Sequence, residues 1–425
     1  MTHQKEDSLL GGYRVLDLAD EKGLLCSKVL ADLGADVIKI ERPGGDPARH
    51  IGPFYHDIPD PEKSLYWFTF NTSKRSITLD IEKSDGQEIF ISLVRTADFV
   101  IECFPPGYMD KLGFGYSTLS EINPRIVVTS ITAFGQSGPY KDYMASDIVG
   151  MAMGGLMSIC GDADRSPVRH AASQAYAQAG VQAALGTLIA HYHRELTGEG
   201  QQVDVSMQEC VCNTLQQDRQ WWFHGHLMAT RSGGNLSLFA DMEVPMIFPC
   251  KDGFVACQAL VYPTPAGLRQ WMADEGMADD LMEEDYEAWF TGGIAAVAMR
   301  GLDPEEMMKQ HTHINDLIKA FFMTHTKAEL YEGSLLRRMI LNPVNTVEDL
   351  LESPQLRARD YFVRVEHPEL GDTLTYPGAP YKLSETPWRI WYRPPLIGEH
   401  NEEVYEKEFG LSKEELILLK QANVI

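Results

Sequence analysis

The chain has 425 residues, with 61 acidic against 37 basic side chains, so its formal charge is −24. An acidic excess of this size repels nucleic-acid phosphates and anionic lipids, which argues against nucleic-acid or membrane partners. The length suggests two or three domains, and a hydrophobic share of 44% is enough for a sizeable core.

Targeting and metal signals are weak. The first seven residues are polar and lack the apolar segment of a secretory signal, which predicts a cytoplasmic protein. Residues 171–193 contain no Asp, Glu, Lys or Arg, but Gln174, Gln178 and Gln182 recur there at helical spacing, which favours a helix packed inside a soluble protein. The seven cysteines form no C-x-x-C pair, and the three His-x-His pairs have no Cys or acidic partner at zinc-site spacing. Reduced thiols and no metal site are expected.

The first half of the chain alternates strand and helix patterns. In chain order they predict a strand over 13–19, a helix over 21–33, a strand over 35–41, a strand over 76–81, a helix over 86–96, and strands over 98–104 and 125–133. This alternation predicts an α/β fold with a doubly wound, Rossmann-like parallel sheet and ligands at the carboxyl ends of its strands. Helices follow to about residue 230, interrupted by a short strand over 202–206.

The pattern changes after residue 235, which indicates a second domain over 235–330. A hairpin turned by Asp252-Gly253 is predicted over 246–260. An acidic helical stretch follows, with eight carboxylates and no base between Arg269 and Arg300, and is typical of a solvated face. Nearer the end, a hairpin over 360–376 and a helix over 413–422 are predicted.

The first turn of the βαβ unit bears on dinucleotide binding. It reads Asp20-Glu-Lys-Gly23 instead of G-x-G-x-x-G, with two carboxylates where a pyrophosphate would need bare N–H groups, so no such cofactor is expected. A basic patch follows, made of Lys39, Arg42, Arg49 and the pair Lys74-Arg75. Cations at strand ends suit a nucleotide phosphate, although the spacing alone also fits ordinary surface charge.

A series of motifs runs through the chain in a fixed order. It includes Gly12-Tyr-Arg-Val-Leu-Asp-Leu18, the segment Leu30 to Pro43, Asn71-x-x-Lys74-Arg75-Ser76-Ile77, Leu79-Asp80, Phe134-Gly-Gln-Ser-Gly-Pro139, Thr197-Gly-x-Gly-Gln201 and Pro395-Leu-Ile-Gly-Glu-His-Asn401. In these residues the chain resembles the class III CoA-transferases, the formyl-CoA and carnitine CoA-transferase family. The resemblance implies a large CoA-binding domain over 1–230 and 331–425, a small α+β domain over 235–330, and two subunits interlocked like linked rings. Coenzyme A or an acyl-CoA would be a substrate, with no permanently bound cofactor.

The resemblance also implies where CoA would bind. Arg42 would pair with a CoA phosphate, and Leu79 would flank the adenine. Cys103 and Phe104 would border the nucleotide, and Lys111 would offer a further cation.

The nucleophile is the main departure from the family. Relatives attack the thioester with an aspartate carboxylate, but counting back from Thr197-Gly-x-Gly-Gln201 places Tyr176 at that position. A phenol has an ordinary pKa of about 10, stays protonated at neutral pH and cannot form the acyl anhydride. No Asp or Glu lies between Arg169 and Arg194, so a small shift in alignment does not supply one. Met144 and Ser146 also stand where relatives place a basic residue and a tyrosine.

Two functions remain open. In the first, the chain is a non-catalytic subunit paired with a homologous catalytic CoA-transferase subunit that carries the aspartate. Such a hetero-oligomer would move CoA from an acyl-CoA such as succinyl-CoA to a carboxylic acid such as (R)-benzylsuccinate, and it would resemble the two-chain (R)-benzylsuccinate enzymes of anaerobic toluene degradation. In the second, the chain is a self-sufficient CoA-ester enzyme that uses Tyr176, Asp204 or Glu209.

Overall fold

The computed structural model describes residues 7–239, 242–261, 264–301 and 303–425. Their contacts divide the chain into two compact units. The first unit comprises the residues up to Met157, together with Arg169–Leu227 and Gln355–Ile425, and the second comprises Ser158–Val168 and Met228–Pro354.

The first unit is built on a six-stranded sheet. Its strands are β1 (Arg14–Leu18), β2 (Asp36–Glu41), β3 (Lys74–Thr78), β4 (Phe99–Glu102), β5 (Val127–Thr132) and β6 (Gln202–Ser206). They lie in the order β3-β2-β1-β4-β5-β6, and all neighbours are parallel. This is the doubly wound, Rossmann-like order, so the expected fold class is confirmed. The order reverses between β1 and β4, where such sheets hold their ligands.

Helices cover both faces of this sheet. They are α1 (Leu24–Asp32), α2 (Leu65–Phe70), α3 (Ser84–Val94), α4 (Tyr108–Lys111), α5 (Tyr116–Ile122), α6 (Asp147–Met153), α7 (Gln174–Thr197), α8 (Met207–Cys212) and α9 (Gln216–Gly225). Side chains alternate along each strand, so Val15 packs in a cluster with Leu30 of α1 while Leu16 packs in a cluster with Phe90 of α3. The core therefore has one layer on each face of the sheet.

Strand β3 differs from the prediction. It was expected over 76–81 but begins at Lys74, because Lys74 and Arg75 are buried strand residues. Their charges are neutralised by Asp17 and Asp36, which lie far away in the sequence. A strand prediction based on apolar residues misses strand positions that buried cations occupy.

The uncharged run over 171–193 forms most of helix α7. One face of α7, rich in alanine, is buried against the sheet and α1, and Gly180 lets Leu25 approach closely. The opposite face is exposed and apolar, with Val181, Leu185, Ile189, Tyr192 and Leu196 on it. The expectation of a helix packed inside the protein is therefore confirmed for one face of α7 and wrong for the other. Among the described residues, no helix is long and apolar enough to cross a membrane.

The second unit combines small sheets with helices. Its strands are β7 (Asn235–Phe239), β8 (Met242–Pro245), β9 (Ile247–Cys250), β10 (Gly253–Cys257) and β11 (Leu341–Pro343), and its helices are α10 (Thr264–Asp274), α11 (Glu287–Met299), α12 (Pro304–Phe322), α13 (Lys327–Leu336) and α14 (Val347–Glu352). The predicted hairpin is confirmed as the antiparallel pair β9 and β10. This unit continues past residue 331, because β11 pairs with β10. The acidic stretch is two helices joined by 3-10 turns at Asp279–Met282 and Glu284–Tyr286, not one helix.

The C-terminal segment completes the first unit. It contains α15 (Pro354–Ala358), β12 (Phe362–His367), β13 (Asp372–Pro377), a π-helical turn (Glu402–Glu408) and α16 (Lys413–Gln421). The antiparallel pair β12 and β13 confirms the predicted hairpin. The segment also supports the end of β3, since the Thr78 N–H donates to Asn401 Oδ1 (2.9 Å) and the Tyr405 hydroxyl donates to the Thr78 carbonyl (2.7 Å).

Candidate functional site

A groove of about 220 Å³ lies in the first unit, at the carboxyl ends of β1, β2, β3 and β4. Its lining includes Leu18, Ile40, Arg42, Leu79, Phe104 and Tyr108. Five acidic residues complete the polar part of the lining, namely Asp20, Glu41, Asp46, Asp80 and Glu82. The groove includes the ends of β1 and β4, where the strand order reverses. It is therefore placed where a doubly wound sheet is expected to bind a ligand.

Three of the residues assigned to CoA come together in this groove. Arg42 follows β2, Leu79 follows β3 and Phe104 follows β4, and all three line it. An adenine ring needs apolar side chains around it and a phosphate needs a cation, so this trio has chemistry that suits a nucleotide.

The other two assigned residues do not line the groove. Cys103 is buried beside it, so close to Gly23 that a Cβ on Gly23 would lie 2.6 Å from the Cys103 sulfur. Burial raises the pKa of the Cys103 thiol well above its ordinary value, so the thiol stays neutral. Lys111 is the last residue of α4 and is exposed.

Most of the basic patch serves the fold. Four of its five cations are buried and paired with carboxylates. The pairs are Lys39 with Asp46 (2.9 Å), Arg49 with Glu41 (2.7 Å), Lys74 with Asp17 (2.9 Å) and Arg75 with Asp36 (2.6 Å). For these four, both the phosphate-site and the surface-charge interpretations are wrong, because a buried cation stays charged only beside a matching carboxylate. Arg42 is the exception, with 67% of its side chain exposed.

Arg42 is engaged by a carboxylate of its own chain. Its Nη2 lies 3.0 Å from Glu82 Oε1, and the Tyr108 hydroxyl donates to the same oxygen at 2.5 Å. Burial and this hydrogen bond raise the pKa of Tyr108, so Tyr108 remains a donor at neutral pH. The sequence analysis missed Glu82 and Tyr108. The available signal was that Glu82 comes three residues after Leu79, on the same loop.

Tyr176 lies in the first turn of α7, half-buried. Its backbone N–H donates to Asp147 Oδ1 at 3.2 Å. One turn further along α7, Gly180 packs against Leu25 so tightly that a Cβ would lie 2.8 Å from the Leu25 Cβ. This contact sets the start of α7 beside the turn before α1. Burial, and then the negative charge of Glu21, raise the pKa of Tyr176, so its hydroxyl stays protonated.

The turn beside Tyr176 is strongly charged. The Tyr66 hydroxyl donates to the Glu21 carbonyl at 3.4 Å, and the Lys22 ammonium contacts the Asp20 carboxylate. Burial, and then Asp20, raise the pKa of Glu21. Burial alone would lower the pKa of Lys22, but the charge and hydrogen bond of Asp20, together with the charge of Glu21, contribute to a net rise in that pKa. Sequence reasoning had considered this turn only as a dinucleotide loop and so missed Glu21 as a carboxylate near Tyr176.

The other alternative carboxylates lie elsewhere. Asp204 belongs to the edge strand β6 and accepts the Gln136 N–H at 3.0 Å, so it fixes a loop. Glu209 is exposed in the first turn of α8, where its N–H donates to Ser206 Oγ at 3.3 Å. Neither residue lines the groove. Met144 is exposed, and Ser146 precedes α6 as its N-cap residue.

One group of possible metal ligands occurs among the described residues, in the second unit. It consists of Asp279, Asp280 and His313, whose ligand atoms all lie within 4.8 Å of one another. His313 Nε2 is 2.7 Å from Asp280 Oδ1, so these two groups already satisfy each other. The fold thus places acidic side chains beside His313, although the sequence around its His-x-His pair has no acidic residue at zinc-site spacing.

Comparison with known proteins identifies the family. The sequence model of CoA-transferase family III matches residues 10–401. The chain belongs to CoA-transferase family III. It is 34% identical over 398 residues to the succinyl-CoA:(R)-benzylsuccinate CoA-transferase subunit BbsE of Thauera aromatica, with 92% of each chain covered. It is 36% identical over 435 residues to a formyl-CoA:oxalate CoA-transferase of Streptomyces avermitilis, with 98% of this chain and 99% of that one covered.

A solved structure agrees with the family assignment. The crystal structure of a CAIB/BAIF family protein from Brucella suis matches with a TM-score of 0.79 and 26% identity, over 94% of this chain and 99% of that chain. The resemblance to class III CoA-transferases and the expected enzyme class are confirmed at the level of the family. CoA-transferases use CoA thioesters as substrates, which makes the groove at the carboxyl ends of β1 to β4 the candidate nucleotide site.

Proposed function

We propose that this chain is the non-catalytic subunit of a hetero-oligomeric, cytoplasmic CoA-transferase. The enzyme would move CoA from succinyl-CoA to a carboxylic acid of the (R)-benzylsuccinate type. The observation that carries the proposal is Tyr176 at the position of the nucleophile, with a pKa raised above its ordinary value. In the family reaction a carboxylate oxygen bonds to the thioester carbon and the CoA thiolate leaves, which forms a mixed anhydride. A protonated phenol cannot take that role, so the aspartate comes from a homologous partner.

The exposed face of α7 supports a partner subunit. Its five apolar side chains recur at helical spacing along one face, and each is 50–69% exposed. They are Val181, Leu185, Ile189, Tyr192 and Leu196. A contiguous apolar stripe of this length marks an interaction surface. Since α7 also begins at the Tyr176 turn, a partner on this stripe would lie next to the vacated nucleophile position, as an interlocked pair requires.

Helix α9 offers a second surface of the same kind. Trp221, Trp222 and Phe223 are 46–73% exposed on it, so they are not core residues of this chain. Aromatic side chains supply much of the binding energy in protein interfaces and in pockets for phenyl groups. We assign them to the partner interface or to the acceptor acid.

The names of two relatives support the proposed substrates. The BbsE relative is named as a subunit of a succinyl-CoA:(R)-benzylsuccinate enzyme, which matches a chain that needs a partner. A succinyl-CoA:D-citramalate CoA-transferase of Chloroflexus aurantiacus, 30% identical, shares the same donor. Succinyl-CoA is therefore the donor we propose, and the acceptor is a dicarboxylic acid.

One observation favours the second function, a self-sufficient enzyme. Glu21 is a carboxylate near Tyr176, and its pKa is raised by burial. A carboxylate there could attack a thioester in place of the missing aspartate. Asp204, whose carboxylate accepts a loop N–H, has no comparable position.

The deciding experiment measures CoA exchange between succinyl-CoA and a panel of dicarboxylic acids. The chain is assayed alone and together with a paralog that has Asp at the position of Tyr176. We expect turnover only from the pair. Robust turnover by the isolated chain would contradict the proposal.

Chemical trapping then locates the nucleophile. Hydroxylamine added during turnover attacks the enzyme-bound CoA thioester, releases CoA and leaves a hydroxamate on the former carboxylate, and mass spectrometry identifies the labelled peptide. A label on the partner alone supports the proposal. A label on the peptide with Glu21 supports the second function, and Glu21→Gln should then abolish it.

A further inference from the structure

Acidic residues outnumber cations in the lining of the groove. Glu41 and Asp46 are neutralised by buried cations, Arg49 at 2.7 Å and Lys39 at 2.9 Å. Glu82 is exposed at the outer part of the groove, and Arg42 is the cation that faces it. Among the described residues that line the groove, Arg42 is the single cation. A ligand phosphate therefore has this one guanidinium to bind, and Glu82 already binds it.

Glu82 engages both outer donors of the groove at once. Its Oε1 lies 3.0 Å from Arg42 Nη2 and accepts the Tyr108 hydroxyl at 2.5 Å. A phosphate needs the same donors, because charge-assisted hydrogen bonds from arginine and hydroxyl groups hold phosphate oxygens. Glu82 thus presents a negative oxygen to the same donors that a phosphate oxygen would need, and like charges repel any anion that shares Arg42.

The backbone holds Glu82 in this place. Its N–H donates to Asp80 Oδ1 at 3.0 Å, and the Asp80 N–H donates to the Val424 carbonyl at 2.7 Å. The side chain of Ile81, between them, is buried. On the other side of Glu82, the Lys83 N–H donates to the Asp80 carbonyl at 3.3 Å. We therefore expect Glu82 to leave the donors by turning its side chain.

We propose that Glu82 closes the nucleotide groove of this chain to CoA phosphates, so that it sets the affinity and selectivity of the groove. The ligand that the groove accepts most readily is then an uncharged nucleoside moiety, and a phosphate-bearing CoA binds only after Glu82 is displaced. This inference rests on the proposed function in taking CoA as the ligand. It also explains how two homologous subunits could differ, since CoA would act in the groove of the partner.

The test measures binding to the full-length chain by calorimetry, with CoA, dephospho-CoA and adenosine as ligands. The variants are Glu82→Gln, which keeps the shape and removes the charge, and Glu82→Lys, which reverses it. Glu88→Gln is the matched control, because Glu88 is an exposed acid on the adjoining helix α3. Glu82→Gln should bind CoA about tenfold more tightly than the natural chain, and Glu82→Lys more tightly still.

The gain in CoA affinity should depend on the phosphate charge of the ligand and on the presence of Arg42. It should be smaller for dephospho-CoA, absent for adenosine, absent in Glu88→Gln and lost in the double variant Arg42→Gln, Glu82→Gln. Equal CoA affinity in the natural chain and in Glu82→Gln would overturn the inference, as would an equal gain for adenosine or no CoA binding by any variant. Because binding is measured without turnover, this outcome is separate from that of the CoA-exchange assay. Turnover by the isolated chain would overturn the proposed function, while tighter binding by Glu82→Gln would still support the role of Glu82.

Discussion

Asp17 and Lys74 form an ion pair at 2.9 Å with both side chains fully buried in the first unit. Ser27 donates to the same Asp17 carboxylate at 2.6 Å, and Lys74 also donates to Asn71 Oδ1 at 2.8 Å. Burial alone would raise the pKa of Asp17, but Lys74 and Lys39 outweigh burial and lower it. The pair ties β1 to β3 through groups 57 residues apart. Asp17 and Lys74 both belong to the motifs of the family resemblance. The ion pair gives each of them a structural role that needs no ligand.

Removing the cation of this pair should destabilise the fold strongly. Lys74→Met leaves Asp17 buried and unpaired, and breaking a buried pair in this way typically costs about 3–5 kcal/mol. Urea unfolding followed by circular dichroism measures the change in the free energy of unfolding. Lys111→Met, at an exposed position, is the control and should change that free energy by less than about 0.5 kcal/mol. A loss below about 1 kcal/mol for Lys74→Met would show that the pair does not support the fold.

The fold was predictable where local patterns determine it. Strands β1 and β2 lie within one residue of their predicted ends, because apolar residues of the strands stop at polar turns. The start of β3 was misplaced since the burial of the charged Lys74 depends on its ion pair with Asp17, which lies far away in the sequence. The exposure of α7 was also missed, because an apolar face looks the same in sequence whether a sheet or a partner covers it. The periodicity of a sequence shows which face of a helix is apolar, but it does not show what packs against that face.

Strand ends and the basic patch indicated Arg42 from the sequence alone, but the other residues of the candidate site were predictable only through the family resemblance. The resemblance assigned Arg42, Leu79 and Phe104 to one binding site although they lie on three different loops. All three line the groove. Glu82 escaped attention because its contact with Arg42 spans 40 residues and no motif marks it. Glu21 was missed for a similar reason, since its proximity to Tyr176 depends on the packing of α7 against α1. Sequence position can place a residue on a loop, but it does not show which distant side chain that residue contacts.

Glu102 predicts a specific pH dependence of stability. Burial raises its pKa to about 7, although Ser130 and the Phe104 N–H donate to it. A folded-state pKa above the unfolded value means that the folded state binds more protons between about pH 4.5 and 7. The stabilisation is therefore complete below about pH 4.5 and is lost as the pH rises through 7. Glu102→Gln, which stays neutral, should be more stable than the natural chain by roughly 2–3 kcal/mol at pH 8.

The same pair of proteins compared at pH 4.5 provides the control. There Glu102 is protonated, so the advantage of Glu102→Gln should nearly vanish. Denaturant unfolding at both pH values measures the difference, and Glu88→Gln should show no such change because Glu88 is exposed. An advantage of equal size at both pH values would mean that packing, not ionisation, separates the variants.

Tyr176→Phe separates a structural tyrosine from a catalytic one. If the partner supplies the aspartate, removing this hydroxyl should leave CoA exchange by the pair within about twofold, because no bond to the acyl group passes through it. Replacing the aspartate of the partner with asparagine should instead abolish exchange. Initial rates with succinyl-CoA at saturating acceptor measure both effects. A loss greater than tenfold for Tyr176→Phe would place the phenol in the chemistry of the reaction.

The stripe on α7 predicts which surface holds the partner. Leu185→Glu and Ile189→Glu put a charge in the middle of this stripe, and a charge that must be desolvated at the centre of an interface typically costs at least about 2 kcal/mol, or roughly 30-fold in the dissociation constant. Ile417→Glu on α16 is the matched control, because Ile417 is similarly exposed but belongs to another helix. Light scattering of the co-expressed subunits should show dissociation for the two α7 variants and none for the control. Circular dichroism should show that each chain still folds, and intact complexes with both α7 variants would place the partner on a different surface.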